Sequence, residues 1–221
     1  MSLKNLNVVG FDLDHTLYPQ TEESQKKIRE KIYEKLATAM NIPFATAGEL
    51  FEQEYASNNH WGKSGSRTII ELCASAGLDL DGKLIVQQAI EDADILEFIE
   101  PNPKLNEMLI KLKNRYWLDL ITGTSQKLAY SKLERLEINQ KVFGFMLMGG
   151  EYGSKTTGEV YQRWIELRSV PVPSMLYVGD NTKQDIDSPK ALGIKTCIVG
   201  KEYDKADYHI SNILELEGLL D

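Results

Sequence analysis

Two short stretches gather carboxylates at spacings that suit chemistry. "FDLDHT" holds Asp12 and Asp14, and "GDNTKQD" holds Asp180 and Asp185. Between them in the chain, "LITGT" carries Thr122 and Gly123, and "GGEYGSKT" carries Lys155. Each stretch follows a short apolar run that reads as a buried strand, and ligands of open parallel sheets bind beyond the carboxyl ends of the strands. A single Asp, Ser or Thr after a strand is explained by a helix cap or a turn, and Thr124 and Ser125 are read that way. Asp12 and Asp14 are not, because residues two apart on a strand point the same way, about 6–7 Å apart, and crowd like charges where stability gains nothing. A divalent cation relieves that crowding. A few carboxylates with substrate phosphate oxygens suit Mg²⁺, with Asp180 as the remaining acidic ligand. Asp12 is then the candidate nucleophile on phosphorus, and Asp14 the acid for the leaving group and later the base for water. The Thr122 hydroxyl, the backbone N–H near Gly123 and the Lys155 ammonium are the donors for the transferring phosphoryl oxygens.

"GGEYGSKT" also approaches the phosphate-binding loop pattern of nucleotide hydrolases, failing from Gly149 only at Ser154. A nucleotide hydrolase using Asp180 as its second acid leaves Asp12 and Asp14 idle. A phosphorelay receiver domain uses an acidic pair, a Thr and a Lys at strand ends, but it requires neither the second acidic stretch nor a long helical insert.

The elements that must position these residues follow from periodicity. "LNVVGFDLD" reads as a buried first strand. From Thr21, an expected N-cap, Ile28, Ile32 and Leu36 recur every four residues, and further helices are expected near 46–57, 66–76 and 82–98. "EPNPK" breaks the pattern, since the residue before a proline avoids the helical region. Alternation follows, with strands expected at 116–122, 142–148, 175–179 and 195–199 and helices near 103–114, from Ser125, near 158–168 and near 182–192. Strands separated by helices of this length mean right-handed crossovers and a parallel sheet covered on both faces. The expected architecture is a Rossmann-like, doubly wound α/β core over 1–18 and 101–221, interrupted by a helical bundle at 19–100.

The chain has 221 residues, 42% of them hydrophobic, and a net charge of -8, with basic residues dispersed among acidic ones. That argues for a substantial core and against a polyanion groove, so no nucleic-acid polymer is expected as partner. Cys73 and Cys197 lack metal or redox spacing and are expected as buried apolar side chains in a reducing, cytoplasmic setting. No apolar stretch is long enough to span a membrane, so no membrane partner is expected.

Taken in this order, the residues resemble the haloacid dehalogenase (HAD) superfamily of Mg²⁺-dependent phosphohydrolases. "FDLDHT" is similar to its DxDxT first motif, Thr122 to its second-motif hydroxyl, Lys155 to its third-motif lysine and "GDNTKQD" to its GDxxxxD fourth motif. The insert resembles the C1 cap of subfamily I, and "ADYHISNILEL" resembles the usual ending of the family. The resemblance implies that Asp12 is the nucleophile, that Asp14 also offers a backbone carbonyl to Mg²⁺, that Asp180 is a ligand, and that Asp185 is either a ligand or a residue behind one. It further implies a small-molecule phosphate monoester as substrate and a monomer or homodimer. Two departures stand out. The third motif lacks the family's two prolines and keeps only the lysine and Tyr161, and His15 stands where Gly or Asn is commoner, read as a local substitution.

Asp14 favours ester hydrolysis over dehalogenation, which the family performs without an acid there. Sugar phosphomutases keep both aspartates and so remain an alternative, as does an inactive relative acting as a binding protein. In capped members the insert covers the site, and His60, Trp61, Lys63 and Arg67 in "SNNHWGKSGSR" are the candidates for touching the leaving group. "FDLDHTLYP" is also similar to the opening of the pyrimidine 5'-nucleotidase branch, which points toward a nucleoside monophosphate.

Overall fold

The computed structural model describes residues 3, 5–57 and 65–221. The described chain divides into two compact units, one of residues 1–19 and 99–221 and the other of residues 20–98. No described helix is long and apolar enough to cross a membrane.

The first unit is built on six parallel strands: β1 Val8–Phe11, β2 Trp117–Thr122, β3 Phe145–Met148, β4 Met175–Gly179, β5 Lys195–Val199 and β6 Tyr208–Ile210. They lie in the order β3-β2-β1-β4-β5-β6, which is the doubly wound α/β arrangement. β1 is central, with Phe11 opposite Leu120 of β2 and Val178 of β4. Consecutive residues of β1 and β4 are all buried, so both faces of the sheet are covered. On one face Val8, Ile121, Met175 and Tyr177 pack with Val160, Tyr161 and Trp164 of a helix at Glu159–Arg168.

The helices of the chain are α1 Glu22–Met40, α2 Phe44–Ser57, α3 Gly65–Ser75, α4 Gly82–Asp92, α5 Pro103–Lys113, α6 Gln126–Arg135, α7 Glu159–Arg168, α8 Ser188–Ala191 and α9 Leu216–Leu220. α1 to α4 make the second unit, whose core joins Ile32 and Leu36 to Phe51, Ile69, Leu72 and Ala89. Thr21 caps α1 by accepting the Ser24 N–H at 3.1 Å, as expected. α5 starts as its sequence requires, with Asn102 accepting the Leu105 N–H at 3.2 Å and Pro103 in the first turn, where its missing N–H costs nothing. Cys73 and Cys197 are buried and unbonded.

Several elements differ from expectation. β6, three residues long at the sheet edge, carries too few residues to show a period. The expected helix at 82–98 ends at Asp92 and resumes as a 3₁₀ turn at Ile95–Phe98, with Asp94 between them at φ 45°. The expected helix near 182–192 opens as a wide π turn at Thr182–Asp187 before α8. Pro189 has no N–H to return to the carbonyl four residues back, so regular α-helix cannot run through this point.

β2 holds one residue that its apolar neighbours conceal. Asp119 is fully buried, and its carboxylate accepts from Trp164 Nε1 at 2.7 Å, Arg168 Nε at 2.6 Å and the Phe145 N–H at 2.7 Å. The charge ties β2, β3 and α7 together. Removing its cation leaves a buried carboxylate short of compensation, so Arg168→Leu is expected to destabilise the protein by about 3–5 kcal/mol. Urea unfolding at neutral pH measures this, and a loss below about 1 kcal/mol, the range of an exposed pair, would contradict it.

Candidate functional site

β1 delivers Asp12 to the head of the sheet. Its backbone N–H still donates to Val178 O at 2.9 Å, which prolongs the ladder one residue past Phe11 and fixes the side chain beside β4. Lys155 reaches the same point from the far side of β2. After β3 the chain turns through Gly149 and Gly150, both in the left-handed region at φ 65° and 75°, which glycine alone adopts without strain. A further turn carries Lys155, and α7 begins only at Glu159, whose carboxylate accepts the Ser154 N–H at 3.1 Å. The helix therefore does not open on a phosphate loop. Instead the Lys155 ammonium is buried, donates to Asp12 Oδ1 at 2.7 Å and lies 2.6 Å from Asp185 Oδ1.

Asp185 arrives from the wide turn after β4. Asn181 caps that turn by accepting the Lys183 and Gln184 N–H groups, and the Asn181 N–H donates to Asp185 Oδ2 at 2.9 Å. The carboxylate lies so tightly over Gly179 that a Cβ there would stand 2.5 Å from its Cβ, Cγ and Oδ2. This close approach explains the glycine that precedes Asp180. Tyr161, the aromatic six residues beyond Lys155, donates from its hydroxyl to Gln184 O at 2.8 Å and so braces the same turn.

The negative charge collects around Asp12, Asp180 and Asp185, which offer carboxylate oxygens within 4.8 Å of one another. Burial above all, opposed by the Lys155 charge and assisted by Asp185 and Asp14, raises the Asp12 carboxyl from 3.8 to a net value of about 8. Burial and Asp185 also raise Asp180. Among the described residues one buried ammonium, Lys155, thus lies within the cluster of three carboxylates, with Lys201 and His15 acting on Asp180 from outside it. Asp185 Oδ1 is buried, and its contact with Lys155 lacks hydrogen-bond alignment. A crowded, oxygen-only, under-compensated set of this kind fits a hard divalent cation such as Mg²⁺.

Asp14 is outside that set of three, although its charge adds to the rise of Asp12. β1 ends at Phe11, and Asp14 pairs backbone with Tyr18 in an isolated bridge. Its Oδ1 accepts from Lys132 Nζ and Tyr18 Oη, and its Oδ2 accepts from Thr124 Oγ1. Burial pushes its carboxyl up, but the Lys132 charge and the three hydrogen bonds outweigh burial and hold it below the usual range. Lys132, 1% exposed, escaped the sequence reading, as did Tyr18. The signal for Lys132 was present: with Ala129, Leu133 and Leu136 it occupies the i, i+3, i+4, i+7 face of α6, where a charge needs a partner. Thr124, read as a turn residue, contributes its hydroxyl to Asp14 instead, while Ser125 precedes α6 without a side-chain cap bond.

Thr122 ends β2, buried, two residues beyond the Leu120 that pairs with Phe11, and its Oγ1 accepts the Thr124 N–H at 3.2 Å. Gly123 is exposed, and a Cβ there would meet nothing within 4 Å, which leaves open space where a phosphoryl group is expected. His15 adopts φ 62°, the left-handed region that explains why Gly or Asn suits this position, and its Nδ1 lies 3.8 Å from Asp180 Oδ2. Of the four candidates for the leaving group, His60, Trp61 and Lys63 lie outside the described residues. Arg67 is exposed on α3 and pairs with Glu71 one turn on, Nε to Oε1 at 3.0 Å.

Comparison with known proteins bears on the family and the fold. A family model described as haloacid dehalogenase-like hydrolase matches residues 9–199. A glyceraldehyde 3-phosphate phosphatase of Methanocaldococcus jannaschii is 26% identical over 216 residues, covering 93% of either chain. Among solved structures, a HAD phosphatase from Thermococcus onnurineus superposes with a TM-score of 0.68 at 21% identity, over 97% of this chain and 98% of that one. A HAD-hydrolase from Bacillus subtilis, solved bound to magnesium, superposes with a TM-score of 0.66 at 16% identity, over 99% and 100%.

The charge imbalance has a measurable consequence. Between 3.8, the ordinary carboxyl value, and about 8, folded Asp12 binds more protons than the unfolded chain does, so metal-free stability falls as pH rises through that window. Asp180, also raised, adds to the same slope. Melting temperatures in EDTA are expected to decline from about pH 5 to pH 8, and Asp12→Asn or added Mg²⁺ to flatten the decline. A flat wild-type profile without metal would refute the imbalance.

Proposed function

Because the chain belongs to the haloacid dehalogenase-like hydrolases, we propose that it is a Mg²⁺-dependent phosphatase that hydrolyses a small phosphate monoester through an aspartyl-phosphate on Asp12. The observation that carries the reading is the separation of two carboxylates two residues apart: Asp12 within a buried acidic cluster beside Lys155, and Asp14 held by a different cation. A nucleophile and an acid/base need distinct surroundings, and these are distinct. Without metal, however, Asp12 is the raised carboxyl and Asp14 the lowered one, so the nucleophile would rely on bound Mg²⁺ to stay ionised and the acid on the arriving phosphate dianion to take up its proton.

In this reading Asp12, Asp180 and Asp185, with the Asp14 backbone carbonyl, hold the metal, whether Asp185 does so directly or from behind. Mg²⁺, when bound, cancels the repulsion between the nucleophile and the phosphate dianion. An Asp12 oxygen attacks phosphorus as the bond to the leaving oxygen breaks, and Asp14 protonates that oxygen. Asp14, now a carboxylate, takes a proton from the water that attacks the phosphoaspartate, and the bond between phosphorus and Asp12 breaks to release phosphate. Lys155, Thr122 and the Gly123 N–H orient the phosphoryl oxygens throughout.

The relatives favour a short phosphorylated metabolite over the nucleotide suggested by "FDLDHTLYP", since a protein similar over 93% of this chain carries the name glyceraldehyde 3-phosphate phosphatase. Choice of leaving group is assigned to the insert at 19–100, acting as a cap, through His60, Trp61, Lys63 and Arg67.

Hydrolysis of p-nitrophenyl phosphate by the purified protein, followed with and without Mg²⁺, tests the reading. EDTA is expected to abolish turnover and Mg²⁺ to restore it, and Asp12→Asn to cost at least about 10³-fold in kcat. Activity that survives EDTA or Asp12→Asn sinks the proposal, and a panel of triose phosphates and nucleoside monophosphates identifies the leaving group.

A further inference from the structure

Asp14 is clamped by three donors from three places in the chain, and the chemistry above assigns work to none of them. Lys132 is the unusual member. It is 1% exposed on α6, its ammonium sits against Asp14 Oδ1, and its Nζ lies 5.9 Å from the Tyr18 ring centroid. A buried ammonium is costly unless it is paired, and a lysine placed only to complete a helix face would be replaced at lower cost by an apolar residue of the same length. Tyr18 Oη, itself largely buried, shares Oδ1 with Lys132, and Thr124 Oγ1 takes Oδ2.

We propose that Lys132, with Tyr18 and Thr124, is a positioning residue that holds Asp14 as an oriented carboxylate for the second half of the reaction, the hydrolysis of the phosphoaspartate. The inference rests on the phosphatase reading and deepens it. Lys132 and Tyr18 both occupy Oδ1, so Oδ2, which accepts from Thr124, is the oxygen the clamp orients to take a proton from water. In that step a water O–H bond breaks, its proton goes to Asp14, the water oxygen bonds to phosphorus, and the electron pair of the broken phosphorus–oxygen bond returns to Asp12. Lys132 takes no part in the proton transfer itself. Its effect is on where the Asp14 oxygens point, and a misplacement of about 1 Å at such a base costs on the order of 10²-fold.

The test separates the two half-reactions. p-Nitrophenolate leaves without needing a proton, so the first half-reaction on p-nitrophenyl phosphate is insensitive to Asp14, whereas the second is not. Lys132→Met is expected to lower kcat about 10- to 100-fold and KM in parallel, leaving kcat/KM within about threefold of wild type. It is also expected to show a burst of one equivalent of p-nitrophenol and a phosphoprotein by intact mass. Loss of kcat/KM without a burst or phosphoprotein indicates a merely structural role and overturns the inference. Asp14→Asn is the control: if it accumulates phosphoprotein and Lys132→Met does not, the clamp alone is wrong, whereas if Asp14→Asn fails to accumulate it, the phosphatase reading itself is wrong. Should Lys132→Met not fold, Tyr18→Phe and Thr124→Val remove the other two donors and are expected to shift the balance the same way by smaller factors. A wild-type balance in both would overturn the clamp.

Discussion

One buried ammonium governs the head of this sheet. Lys155 lies 2.7 Å from Asp12 and 2.6 Å from Asp185, with all three side chains removed from water, and Asp180 adds a third carboxylate to the cluster. Buried charges are tolerated only when compensated, and one buried ammonium among three carboxyl groups, helped at Asp180 by Lys201 and His15, still leaves Asp12 and Asp180 raised. Much of the local backbone answers to that constraint: the double-glycine turn after β3 that lets Lys155 reach back, the wide turn after β4 that aims Asp185 inward, and the bare Gly179 beneath it. The crowding of carboxyl groups also fits the divalent cation that the proposed phosphatase reaction would use.

The two aspartates of "FDLDHT" end in different electrostatic worlds. Burial and carboxylate neighbours raise Asp12, while Lys132 and three hydrogen bonds overcome burial to lower Asp14. The separation arises from where β1 stops. Had the strand run through Asp14, both side chains would face one way and share one environment. Because it ends at Phe11, Asp14 swings to α6 and to Tyr18. A difference of one or two residues in strand length thus decides whether the two carboxyl groups have the same hydrogen-bond partners or different ones. A comparable division occurs deeper in the sheet, where Asp119 is answered by Arg168 and Trp164 and serves packing alone.

Legibility in the sequence tracked the range of the interactions involved. The strand and helix alternation, the Thr21 cap and the break at Asn102-Pro103 are local, set by the period and chemistry of neighbouring residues, and each appears in the structure. β6 was illegible because three residues cannot display a period, and its pairing depends on β5. The π turn at Thr182–Asp187 was read as ordinary helix because the aim of Asp185 toward Lys155 is a contact across thirty positions of sequence. Lys132 was visible only as a lysine on an apolar face, which gives no partner's name.

What the sequence determined by itself is the set of candidate polar groups and the fact that they follow strands of a parallel sheet, since residue types and periodicity are local properties. Membership of the hydrolase family followed from the same motifs. Only the tertiary structure decided which cation answers which carboxylate. Asp14 and Lys132 are 118 positions apart, and Asp12 and Lys155 are 143 apart. No pattern within a window of sequence can pair groups at that distance. The sheet order does so, by setting β1 between β2 and β4 and bringing the ends of strands remote in sequence to one edge.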